Sequence, residues 1–159
     1  ATPLARMAAG ESTPTLLQMF LGVKSSCAMG EVSAAALLLG GVYLVVRKVI
    51  KPIAPLVFVG TVFLLSGALG MDPVAQILSG GLMLGAIFMA TDYATTPATS
   101  WGKAVFGLGC GIITVLIRKY GSYPEGVSFA ILLMNILTPQ IDKAFLQKPL
   151  GGKKVAKNA

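Results

Sequence analysis

Long apolar stretches separated by short polar turns make up most of this chain. Five of them approach the length of a membrane-spanning helix, which needs about 20 mostly apolar residues. They cover residues 32–50, 56–71, 74–90, 104–117 and 127–141. The last two are short, so we expect them to be tilted, broken or buried by other helices. The pattern predicts an all-α integral membrane protein with five transmembrane helices.

Proline and glycine mark the turns between these stretches, as in Lys51-Pro52, Asp72-Pro73 and Thr96-Pro97. The apolar run 16–23 is too short to span, so we expect it at the interface or against the bundle. We therefore divide the chain into an outer interfacial segment (1–27), a transmembrane domain (28–145) and a basic cytoplasmic tail (146–159). Because the chain opens without an initiator Met or a signal peptide, we expect it to be the C-terminal part of a longer protein.

Composition supports a membrane protein, with 55% apolar residues, 12% charged residues and a mean hydropathy of +0.78. The net charge of +7 comes from basic residues in short turns, so we interpret it as membrane topology and expect no nucleic acid partner. If spans one, three and five end on one side, that side holds nine of the 13 Lys and Arg residues. The positive-inside bias then places the C-terminus in the cytoplasm and Thr2 outside.

Several kinds of active site are excluded by the residues that the chain lacks. Histidine is absent, and the only cysteines are Cys27 and Cys110. This chain alone therefore offers no Ser-His-Asp triad, His-ligated haem or iron–sulfur cluster, and we expect no catalytic side chain and no metal site. Redox chemistry here would need a bound cofactor.

Acidic residues in or beside the spans are the candidates for function, since a carboxylate at mid-membrane depth costs at least ~2.5–3.5 kcal/mol. Glu31 begins the first span, where it either caps the helix or lies near a cofactor or ion. Asp92 and Thr96 lie in a hydroxyl-rich break, residues 90–100, that is either a capping loop or the lining of a cavity. Asn135 and Asp142 are predicted to form interhelical hydrogen bonds.

Small residues recur one helical turn apart at Gly81 and Gly85, and again at Gly107 and Gly111. Such spacing lets another backbone approach closely. No strand precedes Gly107, and the spacing differs from that of a dinucleotide-binding loop. We therefore predict helix packing at both pairs.

Several ordered blocks resemble the second half of the D subunits of Rnf complexes, which are ion-translocating ferredoxin:NAD⁺ oxidoreductases. The blocks are Phe20-Leu21-Gly22, Met29-Gly30-Glu31-Val32-Ser33-Ala34, Gly85-Ala86-Ile87-Phe88-Met89-Ala90-Thr91-Asp92, Thr96-Pro97 with Gly102-Lys103, Ile117-Arg118 with Tyr120-Gly121, Tyr123-Pro124-Glu125-Gly126-Val127, Leu132-Leu133-Met134-Asn135 and Pro139-Gln140-Ile141-Asp142. The similar B subunit of the Na⁺-translocating NADH:quinone reductase is the alternative.

The resemblance implies a covalent flavin. Members of the family attach FMN through a phosphoester to the threonine that ends a Ser/Thr-Gly-Ala-Thr motif on the outer side, followed by Pro-Leu. Ala1-Thr2-Pro3-Leu4 matches the end of that motif, so Thr2 would hold the FMN and residues 1–27 would be the flavin-attachment segment. The related quinone reductase also holds a non-covalent flavin, riboflavin, toward the cytoplasm, which would lie beside Asp92 and Thr96. Glu31 and Asp92 would then border the ion pathway.

The resemblance also implies the architecture and the setting. The chain would be one five-helix repeat of a ten-helix inverted-repeat bundle that resembles urea channels, in a bacterial or archaeal cell membrane. Its partners would be other Rnf membrane and peripheral subunits, including a second FMN-carrying subunit, together with membrane lipid. Two rival interpretations are a channel or transporter half without a redox role and a purely structural membrane scaffold.

Overall fold

The computed structural model describes residues 15–21, 33–79, 81–121 and 126–145. Within these ranges every regular element is helical, as the apolar pattern predicts. In chain order they are α1 Leu16–Leu21, α2 Ala34–Val46, α3 Ile53–Ala68, α4 Pro73–Leu78, α5 Leu82–Leu84, the π-helical segment Gly85–Met89, α6 Ser100–Tyr120 and α7 Val127–Ala144. The short helix α1 packs against α2 and α4.

The most extensive helix pair in the described structure is α3 with α6. Two glycines of α6 make the close approach possible. A Cβ atom on Gly107 would lie 2.7 Å from the carbonyl oxygen of Ala54, and one on Gly111 would lie 2.6 Å from Cβ of Thr61. The predicted packing role of this glycine pair is therefore confirmed.

Helix α6 is apolar on both its inward and its outward face. Its buried residues combine small side chains with two larger ones, and they are Gly102, Phe106, Gly107, Cys110, Gly111, Thr114 and Val115. Large apolar side chains are also exposed, and they include Val105, Leu108, Ile112 and Leu116. In a water-soluble helix the exposed face would be mostly polar, so this arrangement suits a lipid environment. Among the described helices, α6 is long and apolar enough to cross a membrane, while α2 and α3 are apolar but shorter.

The third predicted span, 74–90, is not one continuous helix, and that prediction is wrong. Helix α4 ends at Leu78, and the helical path resumes at Leu82 after Gly81, which has a left-handed φ of 63°. Glycine allows this conformation because it has no Cβ atom. Gly81 thus forms the break, and Gly85 packs closely against Val127 of α7.

An arginine from α6 stabilises this break. The Arg118 guanidinium donates hydrogen bonds to the carbonyl oxygens of Gln76 (2.6 Å) and Ser79 (3.1 Å). It also donates to the Gln76 side chain at 3.0 Å. The last carbonyls of a helix lack partners within the helix, and its C-terminus favours a cation. Arg118 therefore caps α4 at the point where the span is interrupted.

The fourth and fifth predicted spans are longer than the sequence pattern indicates, at 21 residues in α6 and 18 in α7. The expectation that these two are short is therefore wrong, and neither is broken, whereas their burial against other helices is confirmed. The apolar windows missed the polar first turn Ser100-Trp101-Gly102-Lys103 of α6 and the end of α7 after Ile141. Both turns are helical because they follow a cap or continue an established helix, which apolar counting does not detect.

Contacts between the loops define two ends of the bundle. At one end, called here the basic end, the α2–α3 turn lies beside the start of α6 and the end of α7. At the opposite end, the Lys119 ammonium donates to the carbonyl oxygen of Leu69 at 3.2 Å, beside the α3–α4 turn. Of the basic residues in the described ranges, five lie at the basic end: Arg47, Lys48, Lys51, Lys103 and Lys143. Arg118 and Lys119 lie at the other.

Candidate functional site

The hydroxyl-rich break between the third span and α6 bonds largely to its own backbone. The Thr96 hydroxyl donates to the carbonyl oxygens of Asp92 (2.5 Å) and Ala90 (3.2 Å). The Thr99 side chain accepts from the backbone N–H of Gly102 at 3.0 Å and so caps α6. Part of the capping interpretation is thus confirmed, with Thr99 as the capping residue.

The π-helical segment leads directly into this break. The Ala90 N–H donates to the Gly85 carbonyl, five residues earlier, at 2.7 Å. The Thr91 hydroxyl donates to the Ile87 carbonyl at 2.6 Å. Segments with π-helical bonding are rare and often occur at functional sites, because they shift the register of the following side chains. Thr91, which follows this segment, lies at the basic end.

Two long-range hydrogen bonds hold the break in place. The Tyr93 hydroxyl donates to the carbonyl oxygen of Val49 in the α2–α3 turn. The Ala98 N–H donates to Oδ1 of Asp142, near the end of α7, at 3.0 Å. Asp142 thus forms a long-range hydrogen bond as predicted, although its partner lies in the break and not in a helix. The break, the α2–α3 turn and α7 are therefore joined at one end of the bundle. The hydrogen-bonding prediction is wrong for Asn135, whose Oδ1 is buried without a hydrogen-bond partner in the described part of the chain.

These contacts enclose a cavity of about 110 Å³. Three lysines line it, Lys48 and Lys51 from the α2–α3 turn and Lys103 from the first turn of α6. The remaining lining residues are Val49, Ile50, Ala54, Thr91, Tyr93 and Thr96. We call this cavity the basic pocket. None of its described lining residues is a carboxylate, and Lys51 is close enough to Lys103 for their like charges to repel.

Lys48 adopts a backbone conformation that is uncommon for a residue with a side chain. It has φ of 56°, and among the described residues it is the only one other than glycine with positive φ. It follows the end of α2, where the N–H of Lys48 donates to Val45 and that of Val49 to Leu44. These two bonds form a Schellman motif, whose left-handed position is usually glycine.

The sequence-predicted site residues are distributed as follows. Thr96 is partly buried and lines the basic pocket, whereas Asp92 is exposed and is not among its lining residues. Asp92 instead accepts a hydrogen bond from the Thr95 hydroxyl at 3.3 Å. The flavin-attachment candidate Thr2 and the ion-pathway candidate Glu31 both lie outside the described residues.

From the sequence, Lys48, Lys51 and Lys103 indicate only the membrane topology. The sequence does not predict that the three lysines line one pocket. One signal was available for Lys103, since a lysine in the first turn of an apolar helix places its charge near the membrane surface beside neighbouring turns. No sequence signal places Lys48 in the same pocket as Lys103, because that arrangement depends on how α2, α3 and α6 pack.

The basic pocket by itself is too small for a flavin. Sites for ligands of that size usually measure about 300–1,000 Å³, against about 110 Å³ here. The pocket has room for a phosphate-sized group. A flavin beside Asp92 and Thr96 would therefore need further walls from outside the described residues.

Comparison with known proteins gives a consistent result across the chain. A family model described as the NQR2, RnfD, RnfE family matches residues 1–151. The D subunit of the Na⁺-translocating ferredoxin:NAD⁺ oxidoreductase complex of Acetobacterium woodii is 45% identical, over 100% of this chain and 51% of that protein. The D subunit of the proton-translocating ferredoxin:NAD⁺ oxidoreductase complex of Clostridium ljungdahlii is 48% identical, over 79% of this chain and 40% of that protein.

A third relative, the D subunit of the ion-translocating oxidoreductase complex of Stutzerimonas stutzeri, is 39% identical over 86% of this chain and 40% of that protein. The chain thus spans about half the length, or less, of these curated relatives.

Proposed function

The chain belongs to the NQR2, RnfD, RnfE family, and from that premise we propose that it is the second half of the membrane-embedded D subunit of an ion-translocating ferredoxin:NAD⁺ oxidoreductase. The observation that supports this most is the match to a relative of that name over the whole chain at 45% identity. In this function the subunit passes electrons through bound flavin while the complex moves Na⁺ or H⁺ across the membrane.

The proposed architecture is a ten-helix bundle of two inverted repeats, of which this chain forms the second. The feature of the chain that supports it is the interrupted third span. Interrupted helices that meet at a repeat interface are common in transporters with inverted repeats. In this arrangement the basic end faces the cytoplasm and Thr2 lies outside.

We propose that Thr2 holds FMN through a phosphoester. Its hydroxyl supplies the oxygen for that bond, and the following Pro3 favours an extended backbone at Thr2, which suits an exposed attachment site. When bound, the flavin supplies one- and two-electron chemistry, and the protein positions it and sets its electrostatic surroundings.

The test uses the full-length protein made in cells that contain a flavin transferase. Denaturing gels should show flavin fluorescence that is lost in Thr2→Val. Thr13 provides a matched control, since it also precedes a proline in the same segment, and Thr13→Val should keep the fluorescence. Covalent flavin that persists in Thr2→Val would exclude this attachment site.

Near the basic end, we propose that Asp92 and Thr96 border a second, non-covalent flavin or the inner mouth of the ion path, with Glu31 on the same path. A flavin there would lie between the two repeats, since the described residues leave too little room for one. Asp92→Asn with Thr96→Val should lower non-covalent flavin or ion transport without affecting flavin on Thr2. If both stay normal and only protein yield falls, residues 90–100 are a structural loop.

Glu31→Gln separates the two interpretations of that residue. An ion-path role predicts slower coupled transport in an assembled complex with normal thermal stability. A capping role predicts lower stability with normal transport.

The B subunit of a Na⁺-translocating NADH:quinone reductase remains the second candidate, because the family description also names NQR2. The two functions differ in electron donor and acceptor. Complexes containing this subunit should reduce NAD⁺ with reduced ferredoxin, and activity with NADH and quinone alone would favour the alternative. The Acetobacterium and Clostridium relatives are named for different coupling ions at similar identity, so ion flux has to be measured for each ion.

A further inference from the structure

An apolar groove lies directly beside the basic pocket. It has a volume of about 330 Å³ and lies between α2, α3 and the third span. Its described lining is entirely apolar, with Val42 and Val46 of α2 and Leu56 and Val59 of α3 among its walls. Ile50 lines both the groove and the basic pocket. The two spaces are therefore neighbours with Ile50 as a common wall, one lined by lysines and the other apolar.

This combination matches the chemistry of a phospholipid. Lysine ammonium groups bind phosphate as point charges. The hydroxyls of Thr91, Tyr93 and Thr96 already donate to backbone carbonyls, so the side-chain donors left in the pocket are the three ammonium groups. Basic pockets between transmembrane helices on the cytoplasmic side are known to take anionic lipid headgroups.

We propose that the basic pocket and the apolar groove together bind one anionic phospholipid, with its phosphate between Lys48, Lys51 and Lys103 and an acyl chain along α2 and α3. This inference rests on the proposed membrane placement with the basic end inside, and it is independent of flavin and of electron transfer. The lipid phosphate offsets the repulsion between Lys51 and Lys103, which no carboxylate in the described lining relieves.

The backbone at Lys48 supports the same site. The chain forms the Schellman motif a second time at the end of α3, where the left-handed residue is Gly70, with φ of 75°. The bonds correspond, from Gly70 N–H to Gly67 and from Met71 N–H to Ser66. A lysine in place of glycine therefore adds backbone strain while it places an ammonium group in the basic pocket, and retained strain of this kind is common at binding sites.

The test measures lipid binding to the delipidated full-length protein by native mass spectrometry, with phosphatidylglycerol and phosphatidylcholine as probes. Wild type should prefer phosphatidylglycerol. Lys51→Gln with Lys103→Gln should weaken its binding roughly 10- to 30-fold, at about 1 kcal/mol for each lysine. Lys119→Gln with Lys143→Gln removes the same charge outside the pocket and should change binding less than threefold. Equal effects of the two pairs would overturn the proposal.

A second pair of variants tests the groove. Val42→Trp should fill it and weaken phosphatidylglycerol binding, whereas Leu39→Trp, on α2 but outside the groove lining, should not. Unchanged binding in Val42→Trp would overturn the proposal, because it would show that the acyl chain does not occupy the groove.

Soluble competitors distinguish the sources of phosphate. Neither inorganic phosphate nor FMN at millimolar concentration should displace the lipid, and displacement by either would show a soluble-phosphate site instead. Flavin fluorescence is recorded on the same samples, so a failure of the proposed redox function appears separately from a failure of lipid binding.

Discussion

At the scale of single residues, Lys48 and Gly70 occupy the same backbone position in two copies of one motif. Each follows the last turn of a helix and has positive φ. A side chain in the left-handed region costs roughly 1–2 kcal/mol, and glycine avoids that cost. Because the turn is the same at both positions, comparing them separates the effect of the lysine side chain on stability from the effect of the turn.

Lys48→Gly should stabilise the detergent-solubilised full-length protein by up to about 1 kcal/mol, since relief of the strain exceeds the extra flexibility of glycine in the unfolded chain. Gly70→Ala should instead destabilise the protein, by a similar amount. Thermal unfolding midpoints measure both changes. A loss of stability in Lys48→Gly would mean that the lysine side chain stabilises the fold by more than its backbone costs.

At the scale of helices, the α3–α6 pair depends on the absence of side chains at two positions of α6. Gly107 and Gly111 let the backbones meet, whereas Gly60 on α3 has nothing within 4 Å of where its Cβ atom would lie. Glycine thus permits close helix packing on α6 but not at Gly60 of α3. Only the contact distances in the structure distinguish these two cases.

Gly107→Ala should destabilise the protein by about 1–2 kcal/mol, because its Cβ atom would force the Ala54 carbonyl away. Gly60→Ala is the matched control and should stabilise by about 0.5–1 kcal/mol through helix propensity. Unfolding in a denaturing detergent titration gives both values. A neutral Gly107→Ala would show that α3 and α6 can separate at little cost.

The interrupted third span depends on a side chain from another helix. Gln76 and Ser79 are buried, with 7% and 2% of their surface exposed, so their carbonyl oxygens have little access to water. Arg118→Leu should therefore destabilise by about 2–3 kcal/mol. Its neighbour Lys119 is exposed, and Lys119→Leu should cost less than about 1 kcal/mol. Similar losses in the two variants would contradict the capping role of Arg118.

At the scale of the whole molecule, basic residues are concentrated at one end, with five there and two at the other in the described ranges. Lys48, Lys51 and Lys103 line the same basic pocket, which places the α2–α3 turn and the start of α6 on a common side. The structure thus shows which basic residues lie at the same end of the bundle. The positive-inside bias then predicts that this end faces the cytoplasm.

Cysteine labelling in intact cells checks that direction. In a background without Cys27 and Cys110, Tyr120→Cys should react with an impermeant reagent added outside, because Tyr120 is 74% exposed at the end opposite the basic end. Arg47→Cys should react only after the cells are opened. The reverse pattern would place the basic end outside and contradict both the topology and the proposed lipid leaflet.

The sequence alone determined the all-helical character, most of the helix positions and the resemblance to the family. These features depend on local composition, helical periodicity and short motifs, which are readable without knowing which helices touch. Helix α3, for example, covers Ile53–Ala68 where the apolar pattern predicted 56–71. The hydroxyl-rich break and its end at a helix cap were also predictable, because threonines near a proline favour caps and turns.

The tertiary structure alone decided where the third span breaks and which residues share a site. Ser79 and Gly81 are compatible with a helix or a break, and Arg118 of a distant helix stabilises the break. The three lysines of the basic pocket come from two separate segments, and they meet because Gly107 and Gly111 let α6 pack directly on α3. Contacts between distant segments depend on the shapes of both surfaces, and the composition of neither segment specifies them.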